Sequence, residues 1–365
     1  MEKPWSENED WECLKRFLPK QWEEMAQKLG AWKRLARSIP STESLLRLLL
    51  IHLADGCSLR ESVVRAREGK LTDISDVAMM KRLQAAGEWL RWMAVQLLQQ
   101  RGVSSEQPSW LSGYNVRTVD ASVVCEPGST GTDWRVHYSL RLFGLQCDEF
   151  HLTGPKVGES LLRFQVSAGD LILGDRAYGH VKGFRYVLDR KGHFLTRLRN
   201  KAFGLKDARG NAQTLTGLLS PLAIGEIGNW PLFSDVKGQA DISLRICAIR
   251  MSEEAADKAI RRAQKEQKKK QQTLDPETLA LHRYVVLATS LPETITAHQV
   301  MELYRARWQI ELAFKRMKSI MGLGHLPKGK EESAKAWIHG KLFVAFLAEA
   351  LLENGRLFSP WGYPI

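Results

Sequence analysis

The spacing of apolar residues changes near residue 108, and this change constrains the fold more than any other feature of the chain. Before it, apolar residues recur at every third or fourth position, as on one face of a helix. After it, they alternate with polar residues, as on a strand. Pro108 and Gly113 mark the boundary. The sequence therefore predicts helices over residues 1–108 and a mixed α/β region beyond.

The N-terminal region contains three predicted helices. The first two are preceded by serines that can cap them, Ser41 and Ser58, and the third starts at Ser75 or Asp76. The third helix is predicted to run unbroken to about residue 97. Lys81 and Arg82 lie in its first turns, and three short helices of this kind resemble a helix-turn-helix module. Small helical bundles without a DNA-binding role are also common, so both interpretations remain open.

The region that follows has the order of an α/β layout. The predicted elements are strands at 116–124, 133–143 and 147–153, a helix at 159–166, a strand at 170–174, a helical turn through residue 186 and a strand at 193–198. In the second strand, apolar residues from Trp134 to Leu142 alternate strictly with polar ones. We predict that this strand is half exposed with a basic outer face, and that His137 is exposed.

A less regular stretch over residues 202–281 interrupts this pattern. It contains a strand candidate at 242–249 and a strongly basic run at 256–272. We interpret the stretch as an inserted, partly β subdomain. The basic run is interpreted as a solvated helix, with contact to a DNA backbone as the alternative. Beyond it, a buried strand at 283–290 leads into the last helices of the chain.

The charge balance indicates a polyanionic partner. Lysine and arginine number 53 against 41 acidic residues, which gives a formal net charge of +12. Nucleic acid is preferred to an anionic membrane, because no stretch is long and apolar enough to span a bilayer. The acidic N-terminus lacks the basic start and apolar run of a signal peptide, so a cytoplasmic location is expected.

Cysteine and histidine show no spacing typical of a metal site. The five cysteines are scattered and none form a Cys-x-x-Cys pair, and the nine histidines form no His-x-x-x-His or Glu-x-x-His pattern. The sequence therefore predicts neither a disulfide framework nor a zinc site, and any metal should be bound by oxygen.

Two aspartates lie where an apolar strand makes a charge costly. Asp120 lies within an apolar strand, and Asp175 directly follows another. Carboxylates at the ends of core strands provide the fixed oxygens that a hard cation needs. For each aspartate alone, a loop-capping role is the open alternative.

A row of polar residues marks the predicted helix near the C-terminus. On a helix that advances about 100° per residue, four side chains fall within an arc of roughly 60°: Tyr304, Arg307, Glu311 and Lys318. An apolar stripe lies beside the row: Leu303, Ile310, Phe314 and Met317. Such a row suits phosphate binding around one acid, and a solvated helix face is the alternative.

Together these motifs resemble a known family. Asp120 in Thr-Val-Asp-Ala, Asp175 in Gly-Asp-Arg-Ala-Tyr and the row that contains Glu311 resemble the three acidic motifs of the DDE transposases of bacterial insertion sequences, specifically the IS-4-like family (insertion sequence 4). The signature Tyr-x₂-Arg-x₃-Glu-x₆-Lys is met without a gap. The resemblance covers residues from about 41 to 350.

The resemblance implies a fold and a division of the chain. The fold class would be α/β, with a ribonuclease H-like catalytic core at residues 109–200 and 282–365. A helical DNA-binding domain would occupy residues 1–108, and a β-rich insertion residues 201–281. The aromatic tail at 358–365 leaves no room for a sizeable C-terminal dimerisation domain, so pairing of two copies would need another surface, or this copy is truncated.

The resemblance also assigns residues and ligands. Asp120, Asp175 and Glu311 would be the catalytic residues and would bind two Mg²⁺ ions about 3.5 to 4 Å apart, with Mn²⁺ as a substitute. The remaining candidates are expected to bind DNA: Tyr304, Arg307, Lys318, Arg176, Trp308, Lys81 and Arg82. Trp308 has two open roles, stacking on a displaced base or packing in the core.

The implied function is cut-and-paste DNA transposition. Water would attack the phosphodiester at the end of the element, and the freed 3′-hydroxyl would attack a second strand, through a hairpin intermediate. The partners would be double-stranded DNA, as transposon ends and target, and a second copy of the chain in a synaptic homodimer near the bacterial nucleoid. Two alternatives remain: a non-catalytic DNA-binding product of a degenerate element, and a two-metal nuclease without strand transfer.

Overall fold

The computed structural model describes residues 7–32, 39–99, 107–126, 133–238, 240–269, 271, 275–319, 322–323, 326 and 330–357. Side chains are described for the same ranges, except residues 7–10, 316 and 353–357. The aromatic tail at 358–365 lies outside these ranges.

Six helices precede the sheet: α1 (Glu7–Lys15), α2 (Trp22–Lys28), α3 (Thr42–Leu53), α4 (Leu59–Glu68), α5 (Asp76–Ala85) and α6 (Gly87–Gln99). The predicted caps Ser41 and Ser58 are confirmed, because each serine hydroxyl accepts a hydrogen bond from a backbone N–H in the first turn that follows it, and Ser75 caps α5 in the same way. The prediction that the third helix is unbroken is wrong, because this segment forms two helices, α5 and α6, which are separated at Ala86. Gly87 follows this break, and a Cβ there would lie 3.2 Å from the Cβ of Ala336.

The strands form one ten-stranded mixed sheet. They are β1 (Asn115–Val124), β2 (Trp134–Arg141), β3 (Gln146–Thr153), β4 (Asp170–Gly174), β5 (His193–Arg197), β6 (Gly204–Lys206), β7 (Ala212–Gln213), β8 (Ile227–Asp235), β9 (Ser243–Arg250) and β10 (Tyr284–Thr289). Their order across the sheet is β3-β2-β1-β4-β5-β10-β9-β8-β6-β7. β1 is antiparallel to β2 and parallel to β4, which is parallel to β5. This arrangement confirms the α/β class and is consistent with a ribonuclease H-like core.

The strands of residues 201–281 extend the same sheet. β9 pairs with β10, and β8 pairs with β9, both antiparallel. Three helices belong to this stretch: α8 (Leu215–Leu219), α9 (Glu253–Lys269) and α10 (Pro276–Leu281). The basic run lies largely within α9, which buries the small side chains of Ala256 and Ala263 and leaves most of its other residues exposed.

The prediction of a half-exposed second strand is wrong. β2 lies between β1 and β3, and His137 and Ser139 are both fully buried. The alternation that suggested an exposed face arises because small and polar side chains are buried there with hydrogen-bond partners. His137 Nε2 lies 2.9 Å from the Thr153 hydroxyl, and the Ser139 hydroxyl accepts a hydrogen bond from Arg117. Hydrophobic pattern alone does not reveal such pairing.

The remaining helices cover the sheet. They are α7 (Val181–Asp189), α11 (Ala297–Arg305), α12 (Gln309–Ser319) and α13 (Glu331–Leu357). α13 packs along α6, and one hydrophobic cluster joins residues of α3, α6, β2, α12 and α13: Leu45, Trp89, Tyr138, Ile310 and Phe343. No helix in the described part of the chain, the 27-residue α13 included, is both long and apolar enough to cross a membrane.

Candidate active site

Asp120 and Asp175 lie side by side at the same end of the sheet. β1 and β4 are parallel, with Thr118 opposite Leu173. When this register is continued by two residues, Asp120 lies opposite Asp175, which directly follows the last residue of β4. Because side chains alternate between faces, both aspartates share the face on which Leu173 packs with Leu303 of α11. The structure therefore brings two of the three predicted acids together.

The Asp120 carboxyl lies in an environment that disfavours its charge. Its side chain is 20% exposed, and Oδ1 accepts a hydrogen bond of 2.8 Å from the backbone N–H of Ala121. Burial and, to a smaller extent, the neighbouring Asp175 carboxylate raise the pKa of Asp120 to about 7, although the Ala121 N–H and Arg307 oppose the shift. Two adjacent carboxyl groups whose negative charges repel each other provide a suitable place for a metal cation.

The prediction that one continuous α-helix carries the polar row is wrong. α11 ends at Arg305, a 3-10 turn spans Ala306–Trp308, and α12 starts at Gln309. A 3-10 turn advances about 120° per residue, and an apolar pattern at spacings of three and four fits either kind of helix. The predicted apolar stripe is confirmed, because all four of its members are buried: Leu303, Ile310, Phe314 and Met317.

Arg307 joins the polar row to the aspartates. Its Nη2 donates to Glu311 Oε1 at 2.5 Å, and its Nη1 lies 3.8 Å from Asp120 Oδ2. The Arg307 guanidinium also lies 5.8 Å from the centre of the Tyr304 ring. Thus, the 3-10 turn places Arg307 between an acid of β1 and an acid of α12. Glu311 is 59% exposed, so its side chain has room to turn.

The residues at this site fit a divalent cation. All three acids offer carboxylate oxygen, which Mg²⁺ and Mn²⁺ accept. In this conformation, the Arg307 guanidinium supplies the positive charge near Asp120 and Glu311. Among the described residues, no three or more His, Cys, Asp or Glu side chains converge closely enough to hold an ion. Direct binding by all three acids therefore requires Glu311 to separate from Arg307.

The other candidates occupy different positions. Lys318 is exposed on α12, and Trp308 is 49% exposed, which excludes the interpretation of Trp308 as a core residue. Arg176 follows Asp175, and its Nε is buried without a hydrogen-bond partner among the described residues. Burial and the neighbouring arginine at the end of β5 lower the pKa of Arg176 to about 10.

Lys81 and Arg82 lie on a different part of the molecule from the polar row. Both belong to α5, which packs on α4, α6 and α13. The side chain of Lys81 is exposed, and that of Arg82 is partly buried. Both therefore remain candidates for contact with DNA outside the aspartate pair.

Sequence reasoning missed a cluster of arginines beside the aspartates. Arg197 and Arg199 lie at the end of β5, next to β4, and with Arg176 they line a cavity of about 410 Å³. His282 and Tyr284 also line this cavity. The signal in the sequence is the pair of arginines directly after an apolar strand. Three guanidinium groups in one cavity favour binding of phosphate.

Comparison with known proteins identifies the family. The family described as "Transposase DDE domain" matches residues 155–347. A transposase of insertion sequence element IS186A from Escherichia coli (strain K12) is 31% identical over 361 residues, which cover 97% of this chain and 96% of that protein. The transposase of insertion sequence element IS421 from Escherichia coli is 31% identical over 362 residues, with the same shares covered.

Proposed function

Since this chain belongs to the DDE transposases of bacterial insertion sequences, enzymes that act on DNA with divalent metal ions, we propose that Asp120, Asp175 and Glu311 are its catalytic residues. The observation that supports this assignment most strongly is the contact of Arg307 with both Asp120 and Glu311, next to the Asp120–Asp175 pair. These acids come from β1, the end of β4 and α12, which lie far apart in the sequence.

The three acids would bind two Mg²⁺ ions, for which Mn²⁺ would substitute. When bound, such ions activate an attacking oxygen and stabilise the leaving oxygen of a phosphodiester. Asp120 and Asp175 are held in place by backbone hydrogen bonds, whereas Glu311 lies on the exposed side of α12. We propose that Glu311 leaves Arg307 when it binds an ion, which frees the guanidinium for DNA.

The cationic residues would hold the DNA backbone near these acids. Arg307 suits bidentate contact with a phosphate, and Lys318 a point-charge contact. Tyr304 lies beside Arg307, and Arg176 lies beside the aspartates. The exposed Trp308 ring is free to stack on a displaced base. The proposed reaction is hydrolysis at the end of the element, followed by attack of the freed 3′-hydroxyl on a second strand.

The N-terminal helices would bind the ends of the element outside the catalytic site. Lys81→Ala and Arg82→Ala should each weaken binding to these ends and reduce its dependence on salt. Affinities that match the unmodified protein across a salt series would remove α5 from the interface. We further propose that two copies of the chain pair when both ends are bound.

A cleavage assay tests the catalytic assignment. The full chain is incubated with Mg²⁺ and DNA that carries both ends of its element, and nicked and joined products are separated. We expect Asp120→Asn, Asp175→Asn and Glu311→Gln each to abolish cleavage and to leave binding of the ends nearly intact. Glu302→Gln, an exposed glutamate of α11, serves as the matched control.

The same assay distinguishes the alternatives. Binding without nicking by the unmodified chain would indicate a non-catalytic DNA-binding protein. Nicking without joined products would indicate a nuclease. Normal cleavage by Glu311→Gln would show that the assignment of the third acid is wrong.

A further inference from the structure

The basic residues of α9 lie on one face of the helix. On a helix that advances about 100° per residue, all six fall within an arc of roughly 120°: Lys258, Arg261, Arg262, Lys265, Lys268 and Lys269. All six side chains are exposed. Ala256 and Ala263, which are buried, lie on the opposite side of the helix. The helix therefore rests on the protein and presents the six cations, called the basic face below, to solvent.

The charges of the basic face are mostly uncompensated. Arg262 pairs with Glu266 at 3.2 Å, and no carboxylate of the described residues pairs with the other five cations. Exposed cations of other helices have such partners, as Lys28 of α2 has in Glu24. Like charges four residues apart destabilise a helix. Pairing within α9 therefore does not explain the basic face, which has a cost in stability.

The helix dipole does not explain the basic face either. The dipole stabilises cations only within the last turn, which contains Lys268 and Lys269. Lys258, Arg261 and Arg262 lie about two or three turns before the end of the helix. A row of cations about 16 Å long suits a polyanion instead, because about five phosphates of one DNA strand occupy that length.

α9 borders the cavity that the three arginines line at the ends of β4 and β5. Three residues of α9 line the same cavity: Ala263, Glu266 and Gln267. Arg176, one of the three arginines, directly follows Asp175 in the chain. Its buried Nε has no hydrogen-bond partner among the described residues, so it can still bind an acceptor. α9 is therefore a neighbour of the site at which DNA would be cut.

The aspartates lie between α9 and the N-terminal helices. In the order of the sheet, β1 and β4 have β2 and β3 on one side and β5 and β10 on the other. α6 packs on β3, and α5 packs on α6. Residues of β5 and β10 form part of the wall of the cavity that α9 borders. A duplex that crosses the aspartates along this order would therefore meet α5 on one side of the cleaved bond and α9 on the other.

We propose that the basic face of α9 binds the backbone of the flanking DNA, which is the duplex outside the element, across the cleaved bond from it. This inference rests on the proposed function, in which α5 binds the end of the element and the aspartates cut beside it. Lysine and arginine side chains that contact phosphates position a duplex without reading its bases. Such contacts suit flanking DNA, whose sequence changes whenever an element moves.

The salt dependence of DNA binding tests this surface. Fluorescence anisotropy in EDTA measures the affinity of the full chain for two duplexes. One duplex stops at the tip of the element, and the other continues into about two helical turns of flanking DNA. The test variant combines Arg261→Gln, Lys265→Gln and Lys268→Gln. Each phosphate contact adds about 1 to the slope of log affinity against log salt, so the variant should reduce the slope by about 3 for the flanked duplex only.

A matched control removes three exposed cations from other elements: Lys182→Gln, Arg209→Gln and Lys237→Gln. It should bind both duplexes as the unmodified protein does. An unchanged slope of the test variant on the flanked duplex would overturn the inference. Equal reductions on both duplexes would also overturn it, because α9 would then bind the element itself. If circular dichroism shows that the triple variant does not fold, Lys265→Gln decides the question, with an expected reduction of about 1.

Two further measurements separate this inference from the proposed function. If the unmodified protein binds the end of the element no more tightly than a duplex of scrambled sequence, the proposed function is wrong and this inference fails with it. Joining of precleaved ends to a plasmid reports on target DNA. Slower joining by the test variant, with normal binding of the flanked duplex, would assign α9 to the target and overturn this inference alone.

Discussion

At the scale of single residues, the partly buried carboxyl of Asp120 lowers the stability of the protein at neutral pH. Its pKa is raised to about 7, chiefly by burial. The folded state therefore retains a proton between pH 4 and 7 that the unfolded chain has lost. The contribution of Asp120 to stability is therefore greatest below this window, falls as the pH rises through it, and is lowest above pH 7.

Asp120→Asn should therefore stabilise the metal-free protein at pH 8, by up to about 4 kcal/mol, because an amide carries no charge to desolvate. The gain should largely disappear near pH 4, where the folded-state carboxyl is protonated and that of the unfolded chain is about half protonated. Urea unfolding in EDTA at both pH values measures the effect. Asp257→Asn, at an exposed position of α9, is the control. Equal stability of Asp120→Asn and the unmodified protein at pH 8 would contradict this prediction.

His137 titrates in the opposite sense. Burial, together with the nearby charges of Arg163 and Arg135, lowers its pKa to about 4. Between pH 6.5 and 4 the unfolded chain binds a proton that the folded state does not, so stability should fall by about 1.4 kcal/mol per pH unit from this residue as the pH decreases. His137→Gln should reduce that slope, whereas the exposed His298→Gln should not. Identical slopes in urea unfolding would exclude His137 as a contributor.

The sequence could identify the acids whose local context is unusual. Asp120 lies within an apolar strand and Asp175 directly follows one. The energetic cost of a charge at such a position can be recognised from the sequence alone. Arg197 and Arg199 lie in a segment whose composition is ordinary, and only the order of the strands brings them into one cavity with Arg176. The burial of His137 could not be predicted from the sequence either, because its hydrogen-bond partner Thr153 belongs to another strand.

At the scale of elements, the end of β4 positions Asp175 through close packing. A Cβ at Gly174 would lie 2.8 Å from the Cβ of Tyr178, which is closer than side chains tolerate. Gly174→Ala should therefore destabilise the protein by about 1 to 3 kcal/mol. Urea unfolding measures the change, with Gly154→Ala as control because nothing lies within 4 Å of a Cβ there. Equal effects of the two variants would show that Tyr178 moves aside without cost.

The strands were predicted more closely than the helix breaks. β4 spans the predicted residues, since an uninterrupted apolar run bounded by polar residues has few alternatives. The breaks between α5 and α6 and between α11 and α12 could not be predicted, because they leave the apolar spacing unchanged. The second break places Arg307 between Asp120 and Glu311, the two acids that it contacts in the proposed site.

At the scale of the whole molecule, the two ends of the described chain share a core. α13 packs on α3, α5 and α6, and residues of β2 and β3 join the same hydrophobic cluster. No local pattern predicts this packing, because each helix needs an apolar face whichever partner it packs against. The shared core raises the question of whether residues 1–108 unfold separately from the sheet.

Phe346→Ala addresses this question. Phe346 of α13 is fully buried, with ring centres 6.4 Å from Tyr138 of β2 and 5.8 Å from Phe150 of β3. Its loss should destabilise the protein by about 3 to 5 kcal/mol. Because helices and sheet share this core, tryptophan fluorescence and far-ultraviolet circular dichroism should report one transition, shifted equally. Leu352→Ala, at a 68% exposed position of the same helix, should shift neither. Two separate transitions, only one of them shifted, would instead show that residues 1–108 unfold as an independent domain.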